Sequence, residues 1–207
     1  MAWEEVGEKA RARLDASIPS EWRIKMPAAD QADVMDVPFL SGLFSEREIL
    51  ITTSSATHIV DIVAKGEWKA EEVTRAFCKR AAVAHQLVRL CRTKHKIKCH
   101  SDPSQTNCLT VMMFDNAIER AKQLDDHFKR TGKTVGPLHG LPISLKDNFN
   151  IVGKTSATGF CAWADEPMQK DSTIVQILRE LGAVAYVKTN VPTAMMIAES
   201  VNNCYGR

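Results

Sequence analysis

The sequence predicts an α/β protein in which amphipathic helices pack around a parallel strand–helix–strand unit, and three observations support this fold class. In residues 136–187 a short extended run, a helical pattern and a continuous apolar run follow one another, which is typical of a parallel crossover. Upstream, several stretches repeat apolar residues at spacings of three and four, which indicates helices. The 207 residues are 44% hydrophobic and 25% charged, so the chain can bury a continuous core.

Four helices are predicted before the sheet from the periodicity of apolar residues and from end signals. Residues 20–45 read as a loop, because prolines interrupt any periodicity there. The predicted helices are a stretch with Trp3, Val6, Ala10 and Leu14 on one face that ends at Ile18-Pro19, residues 55–65 with Ser54 or Ser55 as N-cap and Gly66 as stop, about 69–87, and 114–128 closed at 131–133.

The carboxyl-terminal third supplies the predicted sheet. Residues 143–149 form a short extended run that suggests a strand, and residues 183–187 form a continuous apolar run, as in strands buried on both faces. Between them, Asp171 is expected to cap a helix that Gly182 ends, and the apolar positions of that helix are Ile174, Ile177, Leu178 and Leu181.

Lys146 is the first candidate for catalysis. Ligands of open α/β sheets gather at the carboxyl ends of strands, which draws attention to residues 146–148 and 188–190. A lysine desolvated in an apolar strand can act as a neutral amine base. The alternative is a solvated strand-end lysine paired with Asp147, and the residue types alone favour this alternative.

Other side chains are weaker candidates. His139 in Pro-Leu-His-Gly has the chemistry of a base, but a loop histidine more often satisfies backbone groups. Lys188-Thr189 resembles the end of a phosphate loop, yet Val187 stands where that loop needs glycine. Four potential zinc ligands in residues 88–105 fit no structural zinc spacing: Cys91, His95, Cys99 and His100. We therefore predict no metal, and we also predict no cofactor.

The charge of the chain is small but unevenly placed. There are 27 Lys and Arg against 25 Asp and Glu, and residues 88–105 hold a basic run, 89–98. One hypothesis is therefore a non-catalytic chain that binds nucleic acid or an acidic partner through that run. It is not favoured, because basic residues without interleaved aromatics are more often a solvated face; they are Arg89, Arg92, Lys94, Lys96 and Lys98.

The ends and the cysteines predict a cytoplasmic protein. The amino terminus is charged from Glu4 and lacks the apolar run of a signal peptide, and no stretch of apolar residues is long enough to span a membrane. Cysteine pairs of the C-x-x-C type do not occur, so we expect free thiols rather than a disulfide framework.

From His139 onward the sequence resembles the amidase signature family, the amide hydrolases that use a serine, a cis-serine and a lysine. Residues 136–147 (GPLHGLPISLKD) are similar to the family's lysine strand, and residues 182–190 (GAVAYVKTN) resemble the strand that follows. Residues 68–73 and 76–87 are similar to the fungal acetamidase-like branch. The resemblance implies a mixed central sheet covered by helices, of which this chain holds an incomplete, N-terminal portion.

The resemblance assigns one catalytic position, Lys146. In the family this lysine, as a neutral amine, accepts a proton from the cis-serine, which in turn deprotonates the nucleophilic serine that attacks a carboxylic amide. The products are a carboxylate and ammonia or an amine, and the expected substrates are small linear amides. Met195 and Met196, flexible apolar side chains suited either to the core or to a channel wall, are the predicted substrate contacts.

Both serines of the family lie in a Gly-Ser-rich segment that follows the equivalent of residues 202–207. The run Gly-Gly-Ser-Ser-Gly-Gly does not occur in this sequence, and Ser144 matches neither serine. We therefore expect the chain to be inactive alone. The resemblance also suggests a homodimer for the full-length relative.

Residues 88–105 interrupt the resemblance and are predicted to be an insertion. In relatives the helix ending at Leu87 runs almost directly into the equivalent of Thr106. The segment starts with Val, whose codons begin GT, and ends with Gln, for which one codon ends AG, so a retained intron is one explanation and a genuine surface loop the other.

The predicted organisation is a single amidase domain, of which residues 1–207 are the N-terminal part. Residues 1–66 are a helical and loop region, and residues 136–207 begin the α/β signature core.

Overall fold

The computed structural model describes residues 2–25, 34–87 and 108–206. Within these residues the chain forms seven α-helices and three β-strands. In chain order they are α1 (Trp3–Ala16), α2 (Val37–Leu40), α3 (Glu46–Thr53), α4 (Ala56–Ala64), α5 (Ala70–Leu87), β1 (Leu109–Met112), α6 (Phe114–Thr131), β2 (Pro142–Lys146), α7 (Thr173–Glu180) and β3 (Val184–Thr189).

The strands form one mixed sheet with β3 in the middle, in the order β1-β3-β2. β2 and β3 are parallel and place Lys146 opposite Thr189, with α7 in the crossover between them, while β1 runs antiparallel to β3. The predicted α/β fold is therefore confirmed. Two details differ: β2 ends at Lys146 rather than at residue 149, and β1 was not predicted, because four residues that lead straight into a helix show no period of their own.

The main core lies where α1, α5 and α6 meet the sheet. Apolar side chains from these elements form one cluster, and α5 packs along α6. Much of the predicted faces of α1 and α6 lies in this cluster, including Ala10, Leu14, Ala117, Ala121 and Leu124, and Val184 and Val187 of β3 complete it. Two points differ from the prediction. Trp3 of α1 is 48% exposed, and α5 contributes Ala82, which lies one position from the predicted stripe of Val73, Phe77, Ala81, Ala84 and Leu87, of which Ala84 is exposed.

In the described chain, three short α-helices lie between α1 and α5, and the first, α2, falls within residues 20–45, which were predicted as a loop. Ser55 begins α4 as predicted, because its Oγ accepts a hydrogen bond from the backbone N–H of His58 at 3.2 Å. Helix α3 was not predicted, although Ser45 and Glu48 form a capping box, whose Ser-x-x-Glu spacing is visible in the sequence.

Helix α7 differs from the prediction at its start and on its buried face. The N-cap position is Ser172, and the Asp171 carboxylate instead accepts the backbone N–H of Val152 and pairs with Arg179. The helix packs on the sheet through Val175, which is 3% exposed, whereas Ile174 and Ile177 are 41% and 44% exposed. The predicted stripe starts at Ile174, one residue before Val175, which packs against β2.

The expected free thiols are found at each described cysteine: Cys78, Cys108, Cys161 and Cys204. Among the described helices, none combines the length and the apolar character that crossing a membrane requires. The predicted insertion 88–105, with the basic run 89–98 and the weak zinc candidates Cys91, His95, Cys99 and His100, lies outside the described residues.

Candidate active site

The carboxyl end of β2 presents Lys146 to solvent. Lys146 is the last residue of the strand and is exposed, while Leu145 before it is buried in the same apolar cluster as Val175. Within the described parts of the chain, the Nζ of Lys146 makes no hydrogen bond and no ion pair. The residue singled out from the sequence thus has a free amine at the edge of the sheet where ligands of α/β proteins gather.

Asp147, the next residue, is fully buried and joins three parts of the chain. Its Oδ1 accepts a hydrogen bond of 2.7 Å from the Oγ1 of Thr110 and lies 3.3 Å from the Nζ of Lys188, and its Oδ2 accepts the N–H of Thr158 at 2.8 Å. The alternative in which Lys146 pairs with Asp147 is therefore wrong. Successive side chains of an extended chain point in opposite directions, so Asp147 turns inward to Lys188 as Lys146 turns outward.

Lys188 is the buried lysine of this site, with a side chain that is 0% exposed. Its Nζ donates to the backbone oxygen of Thr155 and to the Oγ of Ser156, each at 2.6 Å, and its third acceptor is Asp147. Burial lowers the pKa of Lys188, and the Asp147 carboxylate opposes this shift. Because an ammonium has three hydrogens, these three acceptors hold Lys188 as a cation.

A strained segment contacts this pair. Thr158, whose N–H reaches Asp147, has φ 47°, and its backbone oxygen accepts the N–H of Ala194 at 3.1 Å. Ala194 and Met195 have φ 54° and 55°, values that non-glycine residues rarely adopt. The segment exposes both predicted substrate contacts, with Met195 46% and Met196 79% exposed.

The turn at residues 202–206 docks against the carboxyl end of β3. The Nδ2 of Asn202 donates to the Oδ1 of Asn190 and to the backbone oxygen of Val191, each at 2.7 Å. The Oδ1 of Asn202 accepts the N–H groups of Cys204 and Tyr205. The end of the described chain is thus held at the same edge of the sheet as Lys146.

His139 lies away from Lys146, because it precedes the amino end of β2. It is 2% exposed, and its Nδ1 accepts the N–H of Val135 at 3.0 Å. Burial lowers the pKa of His139. The backbone-satisfying role considered for this histidine is the one observed, and the structure does not bring it to the candidate site.

The described residues contain no group of three or more His, Cys, Asp or Glu side chains placed to hold a metal ion. The titratable groups brought together at the carboxyl edge include two lysines, the aspartate that Lys188 engages, and the buried Cys204 and Tyr205. What this arrangement offers chemically is one unpaired amine.

The chain is similar in sequence to known proteins of one family. A model of the family described as Amidase matches residues 72–207. The chain is 45% identical over 208 residues to "Putative amidase kk1C" of Curvularia clavata, covering 99% of this chain and 35% of that protein. It is 42% identical over 207 residues to the "Acetamidase" of Emericella nidulans, covering 100% of this chain and 34% of that protein.

Solved structures agree. A structure of "Fatty acid amide hydrolase" superposes with a TM-score of 0.82 at 33% identity, over 98% of this chain and 33% of that one. The native peptide amidase of Stenotrophomonas maltophilia shares the fold, with a TM-score of 0.56 at 24% identity over 69% of this chain and 26% of that one. The chain belongs to the amidase signature family, as the resemblance predicted. It spans about a third of the length of the curated relatives it matches.

Proposed function

We propose that this chain provides the lysine base of an amide hydrolase, with Lys146 as the base. The observation that carries the proposal is the difference between the two lysines at the carboxyl edge. Lys188 has three acceptors, whereas the amine of Lys146 is exposed and unpaired. Of these two lysines, Lys146 alone has an amine that a second catalytic group can reach.

The proposed reaction follows the family's chemistry. The neutral amine of Lys146 takes a proton from a cis-serine, which relays the proton of the nucleophilic serine as that serine attacks the amide carbonyl. An acyl-enzyme forms, the amine leaves with a proton, and water releases the carboxylate. This sequence lacks the Gly-Ser-rich segment that carries both serines, so residues 1–207 alone lack the nucleophile.

The proposed substrates are small linear amides that contact Met195 and Met196. Both side chains are exposed on the strained segment that Thr158 joins to Asp147, next to Lys146. A rigid backbone with flexible thioether side chains suits an apolar acyl group, because methionine adapts its shape to what it packs against. The acetamidase relatives support an aliphatic amide of this kind.

A chimera tests the base. Residues 1–207 replace the matching third of the Emericella nidulans acetamidase, and ammonia release from acetamide is measured. We expect turnover that Lys146→Ala abolishes, because the remaining serines then have no proton acceptor. The matched control is Lys170→Ala, an exposed lysine in the loop before α7. Equal turnover in the Lys146→Ala and Lys170→Ala chimeras contradicts the proposed role.

The isolated chain tests the missing serines. Incubated with acetamide, residues 1–207 alone are expected to release no ammonia above the rate in buffer. Ammonia release that disappears in the Lys146→Ala variant shows that this chain contains its own nucleophile, and the proposal is then wrong on that point.

A further inference from the structure

The buried ion pair is adjacent to Lys146 in the chain and in space. We propose that Lys188 and Asp147 are positioning residues for Lys146: they fix the backbone at the end of β2 so that the free amine stays where the proton is transferred. This inference rests on the proposed function and extends it to two residues for which the proposed proton transfers have no direct role.

The backbone on both sides of the Lys146–Asp147 peptide is tied down. The N–H of Asp147 donates to the backbone oxygen of Thr189 at 3.0 Å, and the backbone oxygen of Lys146 accepts the N–H of Phe149 at 3.0 Å. The Asp147 carboxylate also accepts hydrogen bonds from Thr110 of β1 and from the N–H of Thr158, and it pairs with Lys188 of β3. Lys146 therefore has an unpaired side chain and precedes a residue that is held on every side.

Lys188 supplies a positive charge that compensates the buried Asp147 carboxylate, which a neutral side chain at this position cannot do. Without the ammonium, a buried carboxylate keeps only the neutral donors of Thr110 and Thr158, and a buried charge paired in that way takes up a proton or draws in water. Either change loosens the link between β3 and Asp147. Lys188 also ties Ser156 and the backbone of Thr155 to the same point, so one ammonium orders both β2 and the loop beyond it.

A buried ion pair is poor support for stability, because well-packed apolar side chains of the same size often serve as well. A positioning role makes a different prediction from a stabilising one. If the pair only stabilises the fold, its neutral replacement changes the amount of folded enzyme and leaves the turnover of each folded molecule unchanged. If it positions Lys146, turnover per folded molecule falls.

The experiment uses the acetamidase chimera with the double change Lys188→Met and Asp147→Asn, which keeps the sizes of both side chains and leaves neither charge uncompensated. The amount of folded protein is determined by circular dichroism, and kcat and KM for acetamide are measured per folded molecule. We expect kcat to fall by about 10- to 100-fold, as for a displacement of a catalytic group by about 1 Å, with KM changed by less than about threefold.

The matched control is Lys79→Met with Glu48→Gln. This pair is less buried than Lys188 and Asp147, with an Nζ to Oε1 distance of 3.0 Å and side chains 12% and 21% exposed, and it joins α3 to α5 away from β2. We expect its kcat to equal that of the unaltered chimera. Should the first double variant not fold, Ser156→Ala, which removes one acceptor of Lys188, decides instead, with a severalfold loss of kcat expected.

The outcomes separate the two proposals. The positioning role is overturned if the folded double variant Lys188→Met/Asp147→Asn has a kcat within about twofold of the unaltered chimera. Where the double variant does not fold, the same result in Ser156→Ala overturns it. If the Lys146→Ala chimera is inactive in the same experiment, the proposed function stands without the positioning role. If Lys146→Ala keeps full turnover, or if the unaltered chimera has none, the proposed function itself is overturned.

Discussion

The carboxylate of Asp125 on α6 caps the amino terminus of α5 at Ala70. Its Oδ1 accepts the N–H of Ala70 at 2.7 Å, and its Oδ2 accepts the N–H of Glu71 at 2.9 Å. Both groups belong to the first turn of α5, where N–H groups have no partner inside the helix. A negative charge is also favourable at this end of a helix dipole. The two longest helices of the described chain are joined by this cap as well as by their apolar faces.

Replacing this cap is expected to lower stability. Asp125→Ala removes both acceptors and the charge, so the free energy of unfolding should fall by about 1–2 kcal/mol in urea denaturation. Asp126→Ala is the control, because Asp126 is the exposed neighbour on the same turn and should change stability by less than about 0.5 kcal/mol. Equal losses in the two variants would show that the cap contributes nothing.

Two glycines with the same backbone conformation allow packing to be separated from strain. Gly132 and Gly140 have φ 67° and 76°. A Cβ at Gly132 meets nothing within 4 Å, whereas one at Gly140 lies 2.8 Å from the Cβ of Ala70 and 3.1 Å from the Cγ1 of Val63. In thermal unfolding, Gly132→Ala should cost about 1 kcal/mol and Gly140→Ala about 2–4 kcal/mol. Equal costs contradict the close approach of the turn before β2 to α4 and α5.

The stability of the chain should depend on pH through His85. Burial lowers the pKa of His85 to about 4, with a smaller opposing effect of Asp15. The unfolded chain binds this proton near pH 6.5 and the folded chain only near pH 4, so stability present above pH 6.5 is lost as the pH falls through this window. Between pH 7 and 5.5 the loss should be about 1 kcal/mol.

Variants identify the histidine responsible. In His85→Gln this part of the pH dependence should disappear, while in His58→Gln, where the side chain is exposed, it should remain. Urea titrations at the two pH values provide the measurement. Retention of the full loss in His85→Gln assigns it to another group.

The described residues on either side of the predicted insertion lie close together. The Sγ of Cys108 is 3.6 Å from the Nδ1 of His85, so Thr106 and Asn107 can join Leu87 to Cys108 without residues 88–105. A chain lacking residues 88–105 should therefore fold cooperatively, with a free energy of unfolding within about 1 kcal/mol of that of the whole chain, because loop length has a weak effect on stability.

Two measurements decide whether these residues are an insertion. A deletion variant that fails to fold shows that the segment belongs to the domain. Sequencing of the transcript across the codons of Leu87 and Thr106 distinguishes the retained intron from the genuine loop, since a message that always contains the segment favours the loop.

Local patterns predicted α1, α4 to α7 and the two parallel strands, but not α2, α3, β1 or the ion pair of Asp147 and Lys188. Helix α6 shows its buried face in the spacing of its own residues, whereas the stripe predicted on α5 misses buried positions such as Ala82. Strand β1 exists because its backbone pairs with β3, which lies far along the chain. The spacing of residues within 109–112 cannot express that pairing.

The difference between local patterns and distant contacts also explains why the sequence identified Lys146 but not the partners of Lys188. Lys146 was found through a motif, although the local sequence predicted a strand that continues to residue 149 rather than ending at Lys146. Lys188 directly follows a run buried on both faces, which was a signal that it is buried as well. Its partners could not be predicted from that run, because Asp147 and Ser156 belong to the connection after β2 and contact Lys188 only when β2 pairs with β3.

The central position of β3 has a consequence for synthesis. β1 and β2 each pair with β3 and not with each other, so both wait for a partner until residue 189 has left the ribosome. At about 5–20 residues per second, β1 spends several seconds with its backbone groups unpaired. In this interval the nascent chain should be most open to chaperones, and Asp147 meets Lys188 only when it ends.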